Sequence, residues 1–210
     1  MNPHALLEAA DALLVDLDGT LVDSTAPVRR AWNAFAARHG LDPEHVHHFA
    51  QGRPSRESVR LLVPHADTAA ETEALERAEV GDTDGIAALP GAVDLLTAGR
   101  RLAIVTSCSR ALARMRLRAA GLPIPAVLVS ADDVTRGKPD PACYLLGARR
   151  LQVDPARCLV LEDAPAGICA GRAAGARVLA LRTTHADVDL READAIIDDL
   201  GDLWSDVSDG

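Results

Sequence analysis

Short apolar, β-branched segments alternate with Ala/Leu/Arg-rich helical patterns along most of the chain, and this alternation is the feature that most limits its fold. The predicted strands lie near Ala12–Leu17, Leu102–Val105, Ala126–Val129, Cys158–Leu161, Val178–Leu181 and Ala195–Ile197. Continuous apolar strands that alternate with helices are typical of a parallel sheet covered on both faces. We therefore predict an α/β fold whose ligand lies at the carboxyl ends of the strands.

The alternation is interrupted between residues 24 and 88, where the pattern indicates helices alone. Gly52 stands where one of these helices is expected to end. We interpret residues 24–88 as a helical cap inserted into an α/β catalytic core that consists of residues 1–23 and 89–210. The acidic tail, residues 206–210, is expected to be frayed.

Composition limits the possible partners. The chain of 210 residues has a formal net charge of −9 and no basic segment to offset it, which argues against binding to a phosphate backbone. Its five aromatic residues offer few surfaces on which bases could stack. The sequence also lacks a run of about 20 apolar residues and a signal peptide. We therefore predict a cytoplasmic protein with no nucleic-acid or membrane partner; its oligomeric state is left open.

Two aspartates, Asp16 and Asp18, end the first predicted strand in "LLVDLDGTLVDST". Residues two apart on an extended strand point the same way, so both carboxylates can reach one site. Like charges so close require a cation or a shared proton, and Mg²⁺ takes oxygen ligands. Asp163, with Glu162 beside it, follows another predicted strand and could supply a further oxygen. These acids predict a magnesium site at the edge of the sheet.

Hydroxyl and ammonium groups follow other predicted strands. Thr106 and Ser107 offer hydroxyl and backbone donors suited to phosphate oxygens. Lys138 is the only lysine among 22 basic residues, the other 21 being arginine. Because lysine and arginine are not interchangeable at sites that need a compact charge, we infer that the chemistry of the site requires Lys138.

Four segments, "DLDGTLVDS", "VTS", "GKPDP" and "LEDAPAGICAG", resemble in this order the four motifs of the haloacid dehalogenase superfamily. The helical insertion after the first motif resembles the C1 cap of that superfamily. The stretch "AQGRPSRESV" further resembles the branch that holds sugar-phosphate and polyol-phosphate phosphatases and β-phosphoglucomutase. The resemblance implies a Rossmann-like core with an all-helical cap. It also implies a Mg²⁺-dependent phosphatase that acts on small phosphorylated metabolites through an aspartyl phosphate.

The resemblance also implies roles for the acidic residues and the lysine. Asp16 would attack phosphorus, and Asp18 would act as general acid and then as general base. Lys138 would neutralise the charge of Asp16 and of the transferred group. Mg²⁺ would be bound by the carboxylates of Asp16 and Asp163 and by the backbone carbonyl of Asp18, with Glu162 in a supporting position.

Further residues are expected to bind substrate. By the same resemblance, Thr106 and Ser107 would bind phosphate. Arg53 and Arg56 lie in the cap segment that should face the site, and we expect one of them to contact substrate. Cys108 stands where related proteins are expected to carry a smaller residue. A thiol there could be open to oxidation, but a small buried filler is the favoured interpretation.

Three other functions are compatible with parts of this sequence. A β-phosphoglucomutase-like mutase would return the phosphoryl group to a sugar, but Thr20 favours the phosphatase because the mutases usually carry Val or Ile at that position. A dehalogenase would not need Asp18. A non-catalytic regulator that binds Mg²⁺ and phosphate would be expected to lack one of the four central residues, and all four are present: Asp16, Asp18, Lys138 and Asp163.

Overall fold

The computed structural model describes residues 1–50 and 53–204, and a six-stranded sheet forms its centre. The strands of this sheet are β1 (Ala12–Val15), β4 (Leu102–Val105), β5 (Leu128–Val129), β6 (Cys158–Glu162), β7 (Arg177–Leu181) and β8 (Ala195–Ile197). Their order is β5-β4-β1-β6-β7-β8, and every neighbouring pair is parallel. The parallel α/β fold is therefore confirmed. Gly52 and the acidic tail lie outside the described residues.

The first strand ends two residues earlier than expected, at Val15 rather than Leu17. The carbonyl of Leu17 leaves the ladder and accepts hydrogen bonds from the amides of Leu21 and Val22, at 2.8 and 2.9 Å. Gly19 adopts a left-handed φ of 82° within this turn, which glycine allows at little cost. The turn bends the chain out of the sheet directly after the first of the two predicted aspartates.

Helices cover both faces of the sheet. The core helices are α1 (Pro3–Ala9), α6 (Ala92–Thr97), α7 (Arg110–Ala119), α8 (Ala142–Leu151), α9 (Pro165–Ala173) and α10 (Asp187–Leu190). Short 3₁₀ turns lie at Ala131–Asp133, Pro155–Arg157 and Leu200–Leu203. Leu13 and Val15 of β1 pack with α1, α6 and α7, whereas Leu14 packs with α8 and α9 on the other face. Burial of both faces explains why the strand sequences are continuously apolar.

Four more helices lie between residues 24 and 88, a segment that we call the helical insert. Within its described residues they are α2 (Thr25–His39), α3 (Pro43–Ala50), α4 (Ser55–Leu62) and α5 (Thr68–Val80). Trp32 and Phe35 of α2 pack edge to face, with ring centroids 5.3 Å apart. The same buried cluster takes in Val46, Val59 and Leu75 from the other helices. The helical character of the insert is confirmed, and the division of the chain into core and cap stays a prediction.

Two short strands pair where the insert joins the core. They are β2 (Val22–Asp23) and β3 (Ala87–Ala88), which run antiparallel with Val22 opposite Ala88. These strands were not predicted from the sequence, because strands of two residues show no periodicity. The pairing places the entry and the exit of the insert side by side.

Among all the helices of residues 1–50 and 53–204, none has the length and apolar character needed to cross a membrane.

Two glycines with left-handed φ angles differ in the space that surrounds them. Gly91, before α6, has a left-handed φ of 75°, and a Cβ there would lie 2.5 Å from the backbone nitrogen of Gly201. Gly40, at the end of α2, has a φ of 64° and open space around it. We expect Gly40→Ala to lower the free energy of unfolding by about 1 kcal/mol. Gly91→Ala should cost at least twice as much, because the backbone must move. Urea unfolding measures both, and equal losses would contradict this account.

Candidate active site

The carboxyl ends of β1, β4 and β6 meet at one edge of the sheet and line a cavity of about 300 Å³. Asp16 follows β1, Thr106 follows β4 and Asp163 follows β6, while Lys138 comes from the loop between β5 and α8. Residues of the helical insert line the opposite side. Because neighbouring parallel strands end at the same edge, the sheet gathers polar groups that are far apart in the sequence.

Most of the residues singled out from the sequence line this cavity. They are Asp16, Asp18, Arg53, Thr106, Ser107, Lys138, Glu162 and Asp163. Arg56 instead lines an adjoining cavity of about 180 Å³. Both arginines are exposed, and the Arg53 guanidinium lies 4.5 Å from the centre of the Phe49 ring. The expectation that one of the two arginines contacts substrate therefore applies better to Arg53, and it stays a prediction.

Lys138 lies between two buried carboxylates. Its Nζ donates to Asp16 Oδ1 at 2.5 Å, to Glu162 Oε1 at 2.7 Å and to the carbonyl of Val105 at 3.2 Å. Burial opposes the charge of the ammonium, but Asp16 and Glu162 outweigh it and raise the pKa of Lys138 well above its ordinary value. Lys138 is therefore a fixed positive charge beside Asp16.

Glu162 is hydrogen-bonded through both carboxylate oxygens. Oε1 accepts from the Tyr144 hydroxyl at 3.0 Å as well as from Lys138, and Oε2 accepts from the amides of Asp163 and Ala164, both at 2.9 Å. The side chain is 1% exposed. Protein donors already occupy both oxygens, which favours a supporting role for Glu162 over direct binding of a metal. Tyr144 belongs to no motif and was therefore not predicted from the sequence as a site residue.

Asp16, Glu162 and Asp163 form a buried acidic cluster in which one oxygen from each lies within 4.8 Å of the others. Burial raises the pKa of Asp16 to about 7, while Lys138 opposes the rise and Glu162 adds to it. Burial also raises the pKa of Asp163 well above its ordinary value, and Glu162 and Asp16 add to that rise. Three carboxylates around one lysine leave an excess of negative charge, so the cluster fits a divalent cation with oxygen ligands.

The carboxylate of Asp18 has a different set of partners. Ser24 Oγ donates to Oδ1 at 2.7 Å, while Arg116 Nη1 and Cys108 Sγ donate to Oδ2 at 2.7 and 3.2 Å. The other end of the Arg116 guanidinium donates to Glu79 of α5. Burial raises the pKa of Glu79 to about 7 against the opposing charge of Arg116. Neither Arg116 nor Glu79 was predicted from the sequence as a site residue, because neither belongs to a motif.

Cys108 contacts two of the expected site residues. Its Sγ lies 2.9 Å from Thr106 Oγ1 as well as within reach of Asp18. Burial raises the pKa of the thiol well above its ordinary value, and Asp18 adds to the rise. Since the thiolate is the reactive form of cysteine, this environment favours the interpretation of Cys108 as a small filler.

The insert side of the cavity combines aromatic and basic side chains. Trp32 lines it together with Arg29, His47 and Arg53. His47 Nε2 lies 2.9 Å from Asn33 Oδ1, and burial together with the charge of Arg29 lowers the pKa of His47. The sequence could not separate His47 from its neighbouring histidines, because their spacing does not say which one faces the cavity. This wall presents hydrogen-bonding groups opposite the acidic cluster.

The fold and the site together define a class of protein. It is a parallel α/β protein in which a buried lysine and three acids meet at the strand ends beneath a helical insert. Such a site places a carboxylate beside a fixed positive charge and offers oxygen ligands to a cation. These are the parts that the transfer of an anionic group requires.

Comparison with known proteins gives the family. Residues 10–175 match the model of the haloacid dehalogenase-like hydrolases, and the chain belongs to this family. It is 48% identical over 194 residues to hexitol phosphatase A of Escherichia coli (strain K12), across 89% of this chain and 90% of that protein. It is 37% identical over 201 residues to validoxylamine A 7'-phosphate phosphatase of Streptomyces hygroscopicus subsp. limoneus, across 90% of this chain and 94% of the relative.

A solved structure has the same fold. The crystal structure of CbbY from Rhodobacter sphaeroides in complex with phosphate superposes with a TM-score of 0.81 at 30% identity, over 92% of this chain and 96% of that one. The resemblance of the four motifs to the superfamily is thereby confirmed, and so is the assignment of the chain as an enzyme of the hydrolase class.

The raised pKa of the buried acids predicts how stability depends on pH without metal. Between about pH 4 and 7 the native state keeps protons on Asp16 and Asp163 that the unfolded chain releases, so rising pH lowers the free energy of unfolding. Asp163→Asn removes one of these protonated groups, so its free energy of unfolding should fall less than that of the wild type between pH 5 and pH 8. Asp133→Asn is the control, because the pKa of Asp133 is lowered to about 2 and its carboxylate stays ionised over this range. Urea unfolding at both pH values measures the differences, and a parallel pH dependence of all three proteins would contradict the prediction.

Proposed function

We propose that the protein is a Mg²⁺-dependent phosphatase that hydrolyses small phosphomonoesters, with sugar or polyol phosphates as substrates. The observation that carries the proposal is the buried contact of Lys138 with Asp16 beside Asp163 in one cavity. The names of the relatives support the substrate class, since one is a hexitol phosphatase and another is a validoxylamine A 7'-phosphate phosphatase. We further propose a cytoplasmic location and a small phosphorylated metabolite as the partner.

The reaction has two steps that share one nucleophile. An oxygen of Asp16 attacks phosphorus, the bond to the ester oxygen breaks, and Asp18 gives its proton to the leaving alcohol. Asp18, now ionised, takes a proton from a water molecule, whose oxygen attacks the aspartyl phosphate. Inorganic phosphate leaves, Asp16 is regenerated and Asp18 again carries a proton. The net change is the hydrolysis of one ester bond by one water molecule.

The remaining groups stabilise charge. Lys138 neutralises Asp16 and the oxygens of the transferred group, and it is already in contact with the nucleophile. Thr106 and Ser107, which line the cavity after β4, bind phosphate oxygens. Phosphoryl transfer depends mainly on positioning and charge stabilisation of this kind.

The acidic cluster fits Mg²⁺ on two grounds. Its ligand atoms are carboxylate oxygens, and its buried negative charge exceeds what Lys138 balances. Asp16 and Asp163 would hold the ion with the backbone carbonyl of Asp18, while Glu162 supports the lysine. When bound, Mg²⁺ supplies charge neutralisation for the phosphate oxygens.

The helical insert, residues 24–88, is proposed as the cap that covers the substrate. Its wall of the cavity carries Arg53, His47 and Trp32, which would contact the alcohol part of the ester. A cavity of about 300 Å³ has room for a small phosphorylated metabolite. Closure of the cap over this volume would also keep bulk water from the aspartyl phosphate.

Substitution of the nucleophile tests the chemistry. We expect Asp16→Asn to lower the rate of phosphate release by about 10³-fold or more, because an amide oxygen is a poor nucleophile and the phosphoryl intermediate cannot form. The measurement is Mg²⁺-dependent phosphate release from hexitol, hexose and glycerol phosphates. Asp94→Asn, an exposed aspartate on α6, is the matched control and should keep full activity. Activity of Asp16→Asn near that of the wild type would refute the assignment.

Measuring the interconversion of hexose phosphates alongside phosphate release separates the phosphatase from a mutase. A β-phosphoglucomutase-like enzyme would interconvert hexose 1-phosphate and 6-phosphate through the same aspartyl phosphate. Interconversion without release of phosphate would replace the proposed function with the mutase.

Addition of metal tests the cation site independently of turnover. Mg²⁺ should raise the Tm of the metal-free protein more at pH 8 than at pH 5.5, because the ligand carboxylates must lose protons before they bind the ion. Asp163→Asn should abolish the increase, and Asp94→Asn should retain it. A Tm that responds to Mg²⁺ equally in both variants would place the ion elsewhere.

A further inference from the structure

Arg116 of α7 is a second buried cation at the cavity. It is 4% exposed, as buried as Lys138 at 5%. Its Nη1 donates to Asp18 Oδ2 at 2.7 Å, and its Nη2 donates to Glu79 Oε2. An arginine buried to this degree needs paired acceptors, and the planar guanidinium can meet two carboxylates at once, which a lysine cannot do with fixed geometry. The arrangement is therefore more specific than a surface ion pair.

The two carboxylates come from different parts of the chain. Asp18 belongs to the loop after β1, whereas Glu79 lies in the last turn of α5 in the helical insert. Glu79 is 4% exposed, and α5 packs directly against α7. Arg116 thus joins the insert to the carboxylate that the proposed reaction uses for proton transfer.

The orientation of the Asp18 carboxylate depends on few donors. Ser24, where the insert begins, occupies Oδ1, and Arg116 shares Oδ2 with the weakly donating thiol of Cys108. Arg116 is the only one of these three that carries a charge. As Asp18 gives up its proton to a leaving alcohol, negative charge develops on its carboxylate, and Arg116 lies where it stabilises that charge.

We propose that Arg116 is a positioning residue that orients Asp18 for proton transfer and that Glu79 holds Arg116 in this place when the insert is seated on the core. This inference rests on the proposed role of Asp18 as general acid and base. Arg116 acts through Asp18 and has no assigned contact with the phosphoryl group. A displacement of about 1 Å of a catalytic group can cost about 10²-fold in rate, so loss of this contact should be measurable.

The chemistry of the leaving group separates this role from a purely structural one. Sorbitol 6-phosphate releases an alkoxide, which needs a proton as it departs. p-Nitrophenyl phosphate releases a stabilised phenolate, which departs without one. When formation of the aspartyl phosphate is irreversible, kcat/KM reports only the steps up to and including it. The kcat/KM for sorbitol 6-phosphate divided by the kcat/KM for p-nitrophenyl phosphate therefore reports general-acid catalysis. A damaged fold or a poorly closed cap lowers both kcat/KM values together and leaves this ratio unchanged.

The experiment measures this ratio at saturating Mg²⁺ in the full chain. Asp18→Asn sets the reference, with an expected fall of about 10²-fold. Arg116→Met should lower the ratio by about tenfold or more, and Glu79→Gln by a smaller factor in the same direction. Arg114→Met, an exposed arginine on the same helix, is the matched control and should leave the ratio unchanged.

Arg116→Met leaves Glu79 buried without its partner, so this variant can lose stability. The double variant Arg116→Met/Glu79→Gln removes both charges and carries the test if the single variant does not fold. Equal falls for both esters in the Arg116 variants, or no fall for either, would overturn the inference while Asp18→Asn still gives its reference signal. Failure of the wild type to hydrolyse either ester would instead refute the proposed function. An unchanged ratio in Asp18→Asn would refute the role of Asp18 as general acid, and the inference with it.

Discussion

The candidate active site is organised around the contact of the Lys138 ammonium with the carboxylates of Asp16 and Glu162. These three groups are almost completely buried, so each charge is tolerated only because the others are in place. The contact depends on strand register: β1 and β6 are neighbours with Val15 opposite Leu161, which puts Asp16 and Glu162 one residue further on at the same edge. The hydrophobic sheet therefore determines the geometry of the polar site.

Two neighbouring aspartates receive different partners in this arrangement. Asp16 meets a lysine from the core and lies in the acidic cluster, while Asp18 meets an arginine whose second partner belongs to the helical insert. The early end of β1 and the turn at Gly19 make this separation possible, because the chain leaves the sheet between the two carboxylates. The like charges that made the pair unusual in the sequence are each balanced by a separate buried cation.

The sequence predicted the features that leave a pattern of their own. Six apolar segments indicated the strands, and the single lysine among 22 basic residues pointed to Lys138. Arg116 could not be recognised in the same way, because it is one of 21 arginines and its importance comes only from burial. Glu79 lies in a helix with several other acids, and only the packing of α5 on α7 distinguishes it. Local patterns therefore revealed the residues at strand ends, whereas contacts between helices distant in sequence required the three-dimensional structure.

The antiparallel pairing of β2 with β3 affects how the helical insert can change during evolution. Neighbouring strands lie roughly 5 Å apart, so the polypeptide departs from the sheet domain and returns to it at almost the same point. When the ends of a segment already lie close together, a change in its length adds little to the entropic cost of closing the loop. The register of the parallel strands need not adjust when such a segment is lengthened, shortened or exchanged. Evolution can thus remodel the helical insert while the polar site at the strand ends is inherited intact.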